Sequence, residues 1–250
     1  MRRVSGIVFL VCLSLLAIPA QAKQEVTRFT LKFNGKSRSY CAFAPDRKGP
    51  LPLVVLLHGP KGNGDDIAHA WKGIAANNDF IIVAPDALDP SAWNTTSDPP
   101  AFFHAVVEQV AATHPVDKDR IYLYGYRDGA AYALALALLD SEYFAASVGN
   151  ADALGPQDYD GLFALAKRKM PIGIWVGTSY KSSPENFATA TRKEFETHGF
   201  PVEFHVIPVH DKMHFYAYWP DEQLLAWDFL RRTRLSQYAG TQAPTPVRLP

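Results

Sequence analysis

Alternation of apolar and polar residues marks the beginning of the folded chain. Thr27–Phe33 alternates, Asn34-Gly35 follows, and Ser37–Ala44 alternates again. Two alternating segments joined by an Asn-Gly pair are typical of a β-hairpin, because Asn and Gly tolerate the positive φ angles of the tightest hairpin turns. The sequence therefore predicts an N-terminal antiparallel hairpin.

The pattern then changes to short runs that are apolar at nearly every position. Such runs are typical of strands buried on both faces, as in a parallel sheet covered by helices. The predicted buried strands are Leu53–Leu57, Phe80–Ala84, Arg120–Tyr124, Ala145–Val148 and Ile172–Val176, and Glu203–Ile207 is a last strand.

Segments with helical periodicity separate these strands. Asp128–Leu139 is apolar on nearly every side, which predicts a buried helix, whereas Glu185–His198 carries many charges and is expected to face solvent. Because strand and helix alternate throughout, the sequence predicts one α/β domain with a doubly wound, mostly parallel sheet. The other predicted helices are Asp65–Asn77, Ala101–Thr113 and Asp221–Arg232.

The two ends of the chain have different patterns. Arg2 and Arg3 precede the short apolar run Ile7–Ile18, and Ala20-Gln21-Ala22 follows as a small-residue cleavage site. This arrangement is typical of a secretory signal peptide, so the mature protein is expected in the periplasm or outside the cell. The expected organisation is a signal peptide at 1–22, a domain at 23–235, and a disordered tail rich in Pro, Thr and Gln at 236–250.

The charge of the chain restricts its possible partners, and its cysteine content restricts its possible disulfides. The chain has 25 basic and 25 acidic residues, and loss of Arg2 and Arg3 with the signal leaves 23 against 25, a net charge of −2. This balance argues against a nucleic-acid partner and, after signal cleavage, against a membrane partner. Cys41 would be the only remaining cysteine, which excludes an intrachain disulfide. The oligomeric state is left open.

The segment Arg120–Ala131, with the sequence RIYLYGYRDGAA, is the most informative one for function. It places Gly-x-x-x-Gly between a buried strand and a buried helix. In α/β-hydrolases this is the setting of the nucleophile elbow, Gly-x-Ser-x-Gly, whose tight turn exposes the central side chain above the sheet. Here Gly125 and Gly129 are present, but Arg127 stands between them.

Three further segments resemble secreted polyhydroxybutyrate depolymerases and feruloyl esterase-like proteins of the α/β-hydrolase superfamily. The similarity extends from about Phe29 to Leu235 and implies an α/β-hydrolase fold of the esterase type. The segments are LVVLLHGPKGNGDD at Leu53–Asp66, which is similar to the strand and His-Gly oxyanion loop, NNDFIIVAPDA at Asn77–Ala87, and FFHAVVEQVAATHPVDKDRIYLYGY at Phe102–Tyr126.

The resemblance allows each catalytic position of the family to be compared with the residue that this chain has there. Arg127 stands at the position of the nucleophile, and Tyr180 at the position of the catalytic acid. His214 is retained at the histidine position, and His58-Gly59 is retained in the oxyanion loop. Arginine stays protonated and cannot attack an ester, so the resemblance implies an exported, non-catalytic binding or accessory protein.

Two alternatives remain open for the chemistry. A relocated nucleophile would make the chain a carboxylic-ester hydrolase, and Asp152 could in principle replace the lost acid by reaching His214. Within a non-catalytic pocket, Arg127 either pairs with Asp128, Asp152 or Asp86 and plugs the site, or anchors a ligand.

The ligand expected in the second case is a small anionic or ester-like molecule. The N-terminus of the helix at Asp128 favours an anion, and the guanidinium of Arg127 adds a forked donor. The other predicted ligand-binding residues are Asp128, Tyr180, His214, His58 and Gly59.

No metal and no cofactor is predicted. The eight histidines show no metal-binding motif, and Lys61-Gly62-Asn63-Gly64 is not a phosphate-binding loop. The aromatic run Phe215–Trp219 is expected in the core more readily than in a cleft, and Trp93 is a candidate for the pocket rim.

Overall fold

The computed structural model describes residues 24–155, 159–177, 184–207 and 220–238. It contains an eight-stranded sheet in the order β1-β2-β4-β3-β5-β6-β7-β8. The β1-β2 and β2-β4 pairs are antiparallel and all other pairs are parallel. The strands are β1 (Thr27–Phe33), β2 (Lys36–Phe43), β3 (Leu51–Leu57), β4 (Ile81–Pro85), β5 (Val116–Tyr126), β6 (Ala146–Asn150), β7 (Ile172–Gly177) and β8 (Val202–Ile207).

Six helices and a short 3-10 turn connect or follow these strands within the described residues. The predicted α/β class, the mostly parallel sheet and the N-terminal hairpin are confirmed. The helices are α1 (Gly64–Asn78), α2 (Pro100–Ala111), α3 (Asp128–Leu139), α4 (Tyr159–Leu165), α5 (Pro184–Thr197) and α6 (Pro220–Leu230), and the 3-10 turn is Leu235–Tyr238.

The strand order reverses at β3, and this reversal fixes where a ligand can bind. The chain passes from β3 through α1 to β4 on one side, and then through α2 to β5 on the other side of β3. Since the connections diverge there, a crevice opens at the carboxyl ends of β3 and β5, which is the usual ligand position in such sheets. The loop after β3 and the turn after β5 meet at this point.

Two apolar layers cover the sheet. One face packs against α2, α3 and α5, and the other against α1 and α6. Nine of the twelve residues of α3 are buried, as its uniformly apolar sequence predicts. The sheet and α3 therefore form a rigid support for the residues at the start of that helix.

Some predicted ends of strands were wrong because polar residues also form part of the strands. Strand β5 begins at Val116 rather than Arg120, because Val116 pairs with Leu51 although the next residues are polar. Strand β6 runs to Asn150 rather than ending at Val148, and α4 was not predicted. At the end of the domain, Leu235–Tyr238 form a 3-10 turn in which the Ser236 N–H donates to the Asp119 carboxylate at 2.6 Å, and the disordered tail stays a prediction.

The segment 1–22 lies outside the described residues, so the signal peptide stays a prediction. Cys41 is buried and has no disulfide partner. None of the helices described has the length and continuous apolar character that a bilayer span requires.

Candidate functional site

Arg127 forms the turn between β5 and α3 in a backbone conformation that side-chain-bearing residues rarely adopt. Its φ is 54° and its ψ is −123°. Its backbone N–H donates to the Asn150 carbonyl at 2.8 Å, and its own carbonyl accepts from the Ala130 N–H at 2.7 Å. Such a conformation costs about 1–3 kcal/mol and persists only where the surrounding structure enforces it.

The two glycines that flank Arg127 explain how the turn can be so tight. A Cβ on Gly125 would overlap the Gly129 carbonyl oxygen and lie 2.7 Å from the Ala130 Cα. A Cβ on Gly129 would overlap the Leu57 carbonyl oxygen and lie 2.6 Å from the His58 carbonyl oxygen. Both positions therefore require glycine, because the strand, the turn and the helix touch through their backbones.

Asp128 begins helix α3 and turns its carboxylate toward the loop that follows β4. One carboxylate oxygen accepts from the Trp93 backbone N–H at 3.1 Å. The first backbone N–H groups of α3 face the carboxyl end of the sheet, where the helix dipole favours negative charge. The turn therefore presents a fixed cation next to a helix N-terminus.

His58 is buried behind the turn, with 1% of its surface exposed. Its Nε2 accepts from the Ala87 N–H at 3.1 Å, so Nδ1 carries the proton and donates to the Gly59 carbonyl at 2.8 Å. Burial lowers the pKa of this imidazole. Both ring nitrogens are bonded to the protein, and a contact between the ring and a ligand stays a prediction.

Gly59 brings the loop after β3 directly against the turn. A Cβ on Gly59 would lie 3.4 Å from the Arg127 Cβ and 3.4 Å from the Tyr126 carbonyl oxygen. The loop and the turn are therefore close enough that a side chain at residue 59 would be in van der Waals contact with the turn. Gly59 is thus placed beside Arg127, as the resemblance implies for an oxyanion loop.

Trp93 lines the same region from the loop after β4. Its indole N–H donates to the His58 carbonyl at 2.9 Å, and its ring stacks on Tyr132 at 5.8 Å between centroids. The ring is 8% exposed. Trp93 therefore forms a wall beside the turn.

A buried ion pair anchors the loop that carries Trp93. Arg38 and Asp98 are 2.5 Å apart, and their side chains are 3% and 0% exposed. Asp98 also accepts from the Leu88 and Asn94 N–H groups at 3.0 and 3.2 Å. A buried pair with its remaining bonds satisfied fixes the loop at both ends.

Asp86 was one of three predicted partners for Arg127, and the structure assigns it to other groups. Its carboxylate accepts from Arg28 at 2.6 Å, from the Ser39 hydroxyl at 2.5 Å and from the Gly64 N–H at 2.7 Å. Although burial alone would raise its pKa, these bonds lower it. Asp86 ties β1 and β2 to the start of α1, and the prediction that it pairs with Arg127 was wrong.

Asp152 follows β6 and lies near the turn. Burial raises the pKa of its carboxyl group, the Asp128 charge raises it further, and the Ala153 N–H and the Arg127 charge lower it. A carboxyl group held partly buried with a raised pKa beside a cation is typical of functional sites. The charges of Asp128 and Arg127 thus both act on the carboxyl group of Asp152.

Two other predicted site residues, Tyr180 and His214, lie outside the described residues, as does the aromatic run Phe215–Trp219. The predicted contact between Asp152 and His214 therefore also lies outside them. In the part of the chain that is described, no three metal-binding side chains come together.

Glu222 and Asn150 were not predicted from the sequence. The Asn150 side-chain amide donates to the Tyr124 hydroxyl at 2.9 Å and to the Glu222 carboxylate at 2.8 Å. This contact brings a carboxylate of α6 to the end of β6, two residues before Asp152. No local pattern predicts a contact across 72 residues.

This chain is an esterase-type α/β-hydrolase. Its sheet topology, the crevice at the ends of β3 and β5, and the turn between β5 and α3 agree with this class. Residues 19–171 match the family model described as esterase FrsA-like, and the chain belongs to this family. The probable feruloyl esterase C of Aspergillus niger is 29% identical over 108 residues, which cover 40% of this chain and 40% of that relative.

Two longer matches agree with this assignment. Feruloyl esterase C of Emericella nidulans is 29% identical over 188 residues, covering 66% of this chain and 68% of the relative. A solved thermostable esterase superposes with a TM-score of 0.67 and 18% identity, covering 84% of this chain and 63% of the other. The last comparison concerns the fold alone.

Proposed function

We propose that this chain is an exported, non-catalytic esterase-type α/β-hydrolase that binds a small anionic or ester-like ligand at the turn formed by Arg127. The observation that carries the proposal is the conformation of Arg127, at φ 54° and ψ −123°, between two obligatory glycines. In α/β-hydrolases this strained strand-to-helix turn carries the nucleophile.

The chemistry of arginine argues against ester cleavage at this turn. A guanidinium keeps its proton in proteins, since its pKa is above about 12, and so it cannot attack a carbonyl carbon. Its fixed charge would also disfavour a protonated His214, which triad catalysis requires. Tyr180 at the acid position removes the carboxylate that would stabilise that imidazolium.

The same turn supports anion binding. Arg127 provides a fixed charge and a forked set of donors suited to a carboxylate. The start of α3 adds its first backbone N–H groups and the positive end of the helix dipole. Asp152 is the internal competitor, because its carboxylate interacts with the same guanidinium.

Ester hydrolysis tests the non-catalytic part of this proposal. Wild type is expected to hydrolyse p-nitrophenyl acetate no faster than Arg127→Ala and His214→Ala do. Hydrolysis that is lost in His214→Ala would instead support the alternative, a carboxylic-ester hydrolase with a relocated nucleophile. The double variant Arg127→Ser with Tyr180→Asp tests whether the pocket can regain activity.

Calorimetric titration with small organic acids tests the ligand. Binding to wild type that is at least about tenfold weaker in Arg127→Ala would support the anion site, since a charged hydrogen bond contributes about 1.5–3 kcal/mol. Binding seen only in Asp152→Asn would mean that the carboxylate plugs the site. No heat with any of the three proteins would exclude the binding role.

N-terminal sequencing tests the proposed export and the cleavage of the signal peptide. N-terminal sequencing of the protein from the periplasm or the culture medium is expected to start at Lys23. A chain that keeps residues 1–22 and stays with the membrane fraction would contradict cleavage.

A further inference from the structure

An ester hydrolase needs two backbone donors for the oxyanion as well as a nucleophile. One is the N–H of the residue after the nucleophile, and the other comes from the loop between the third strand and the first helix. Removing a single donor from such a hole lowers kcat about 10²–10³-fold. In this chain the corresponding groups are the Asp128 N–H and an N–H of the loop 58–63.

None of the three residues directly after Gly59 offers such a donor. Pro60 carries no N–H. The Lys61 N–H donates to the Pro90 carbonyl at 2.7 Å, and the Gly62 N–H donates to the Gly59 carbonyl at 3.0 Å. The Gly64 N–H donates to the Asp86 carboxylate at 2.7 Å.

The shape of the loop explains why these groups are engaged. Gly59 to Gly62 form a turn closed by the Gly62 N–H, with Pro60 second and Lys61 third at φ 62°. A proline at the second position and a positive φ at the third are the features of a type II turn. A Cβ added at Gly59 would be in van der Waals contact with the Arg127 Cβ, and residue 60 directly follows this point of close approach.

We propose that Pro60 removes the second oxyanion donor, so that this pocket has lost its means of stabilising a tetrahedral intermediate as well as its nucleophile. The inference rests on the proposed function, which places the nucleophile position at Arg127. It means that a serine at residue 127 does not by itself rebuild an esterase. The Asp128 N–H and the Arg127 cation suit a bound anion rather than an acyl-transfer transition state.

A cysteine probe separates oxyanion stabilisation from nucleophile reactivity. In Arg127→Cys, the introduced thiolate attacks the carbonyl carbon of p-nitrophenyl acetate, a carbon–sulfur bond forms, and p-nitrophenolate leaves through an oxyanionic intermediate. With iodoacetamide the same thiolate forms a carbon–sulfur bond and displaces iodide, without an oxyanion. The ratio of the two rates therefore measures stabilisation of the oxyanion.

The expected ratio for Arg127→Cys is within about threefold of that for free N-acetylcysteine. Adding Pro60→Ala or Pro60→Gly, each of which restores an N–H, is expected to raise the ratio at least about tenfold, part of the effect of one oxyanion donor. Pro50→Ala in the same background changes an exposed proline outside the loop and should leave the ratio unchanged. Wild type gives the background from Cys41, the cysteine that remains after signal cleavage.

Several results would overturn the inference. A ratio for Arg127→Cys far above that of free thiol would mean that the hole works with Pro60 in place, through the Gly59 N–H. An unchanged ratio after both Pro60 substitutions, or failure of iodoacetamide to reach the introduced thiol, would also overturn it. Ester hydrolysis by wild type would instead contradict the proposed function, so the two failures are distinguishable.

Discussion

Two groups of charged side chains lie along the same edge of the sheet, and they differ in whether the structure shows them stabilising the fold or carrying strain. At the end of β4, Asp86 accepts three hydrogen bonds, and nearby Arg38 and Asp98 form a buried pair. At the ends of β5 and β6, Arg127 has a strained backbone and burial raises the pKa of Asp152.

The comparison separates charged residues that stabilise the fold from charged residues that are candidates for ligand binding. The group at β4 holds the loop of Trp93 and the start of α1, and every bond there stabilises the fold. The group at β5 and β6 carries strain and a carboxyl group with a raised pKa, which folding does not require. Costs of this kind are concentrated at functional sites.

The largest expected effect concerns the supporting group. Asp98→Ala leaves Arg38 buried without its counter-ion and should lower the free energy of unfolding by about 3–5 kcal/mol. Glu108→Ala within helix α2 removes an exposed carboxylate paired with Lys118 and should cost less than about 1 kcal/mol. Urea unfolding measures both, and similar losses would mean that the buried pair is not an anchor.

Asp86→Asn is expected to have an intermediate effect. It weakens the bonds from Arg28, Ser39 and the Gly64 N–H and should cost about 1–3 kcal/mol at pH 7. Because the pKa of Asp86 is lowered in the folded state, the stabilisation exists at neutral pH and is lost as the pH falls through that lowered pKa. The difference between wild type and variant should therefore shrink in acid, and a difference that grows would contradict the assignment.

The strain at Arg127 can be isolated with a matched pair of variants. Arg127→Gly and Arg127→Ala both remove the guanidinium, but only glycine adopts φ 54° without cost. The glycine variant is expected to be more stable by about 1 kcal/mol in thermal or urea unfolding. Equal stability of the two variants would mean that the turn is not strained.

Asp152→Asn should have the smallest effect, with the opposite sign to Asp86→Asn. A raised pKa in the folded state means that the charged carboxylate destabilises the fold at pH 7, so its removal should stabilise by up to about 1 kcal/mol. The gain should fade as the pH falls through the raised pKa, where wild type becomes protonated. Unfolding at several pH values measures it, and destabilisation at pH 7 would contradict the account.

Periodicity in the sequence was sufficient to predict the sheet, the hairpin and the buried helix α3. Apolar runs identify strands that lie between two layers of helices, so the errors are confined to the ends of these strands. The start of β5 was predicted four residues too late because Asp117–Asp119 is polar, and α4 was not predicted because it is short. These ends are set by pairing with Leu51 and by contacts of distant segments, which a local pattern does not contain.

The candidate site could be predicted only where a backbone constraint requires a particular residue type in the sequence. Gly125 and Gly129 locate Arg127, because no other residue fits their contacts. The Arg38–Asp98 pair and the Asn150–Glu222 contact join residues 60 and 72 positions apart, and nothing local indicates them. The sequence alone shows that Pro60 has no N–H. The hydrogen bonds made by the Lys61 and Gly62 N–H groups could be seen only in the structure.

The most direct test of the central claim is the intact mass of the protein after exposure to a fluorophosphonate probe. We expect wild type to keep its mass under conditions that label a serine esterase used as a positive control, because the guanidinium of Arg127 occupies the position of the nucleophile. Stoichiometric labelling of a single wild-type residue, abolished by His214→Ala, would contradict the claim.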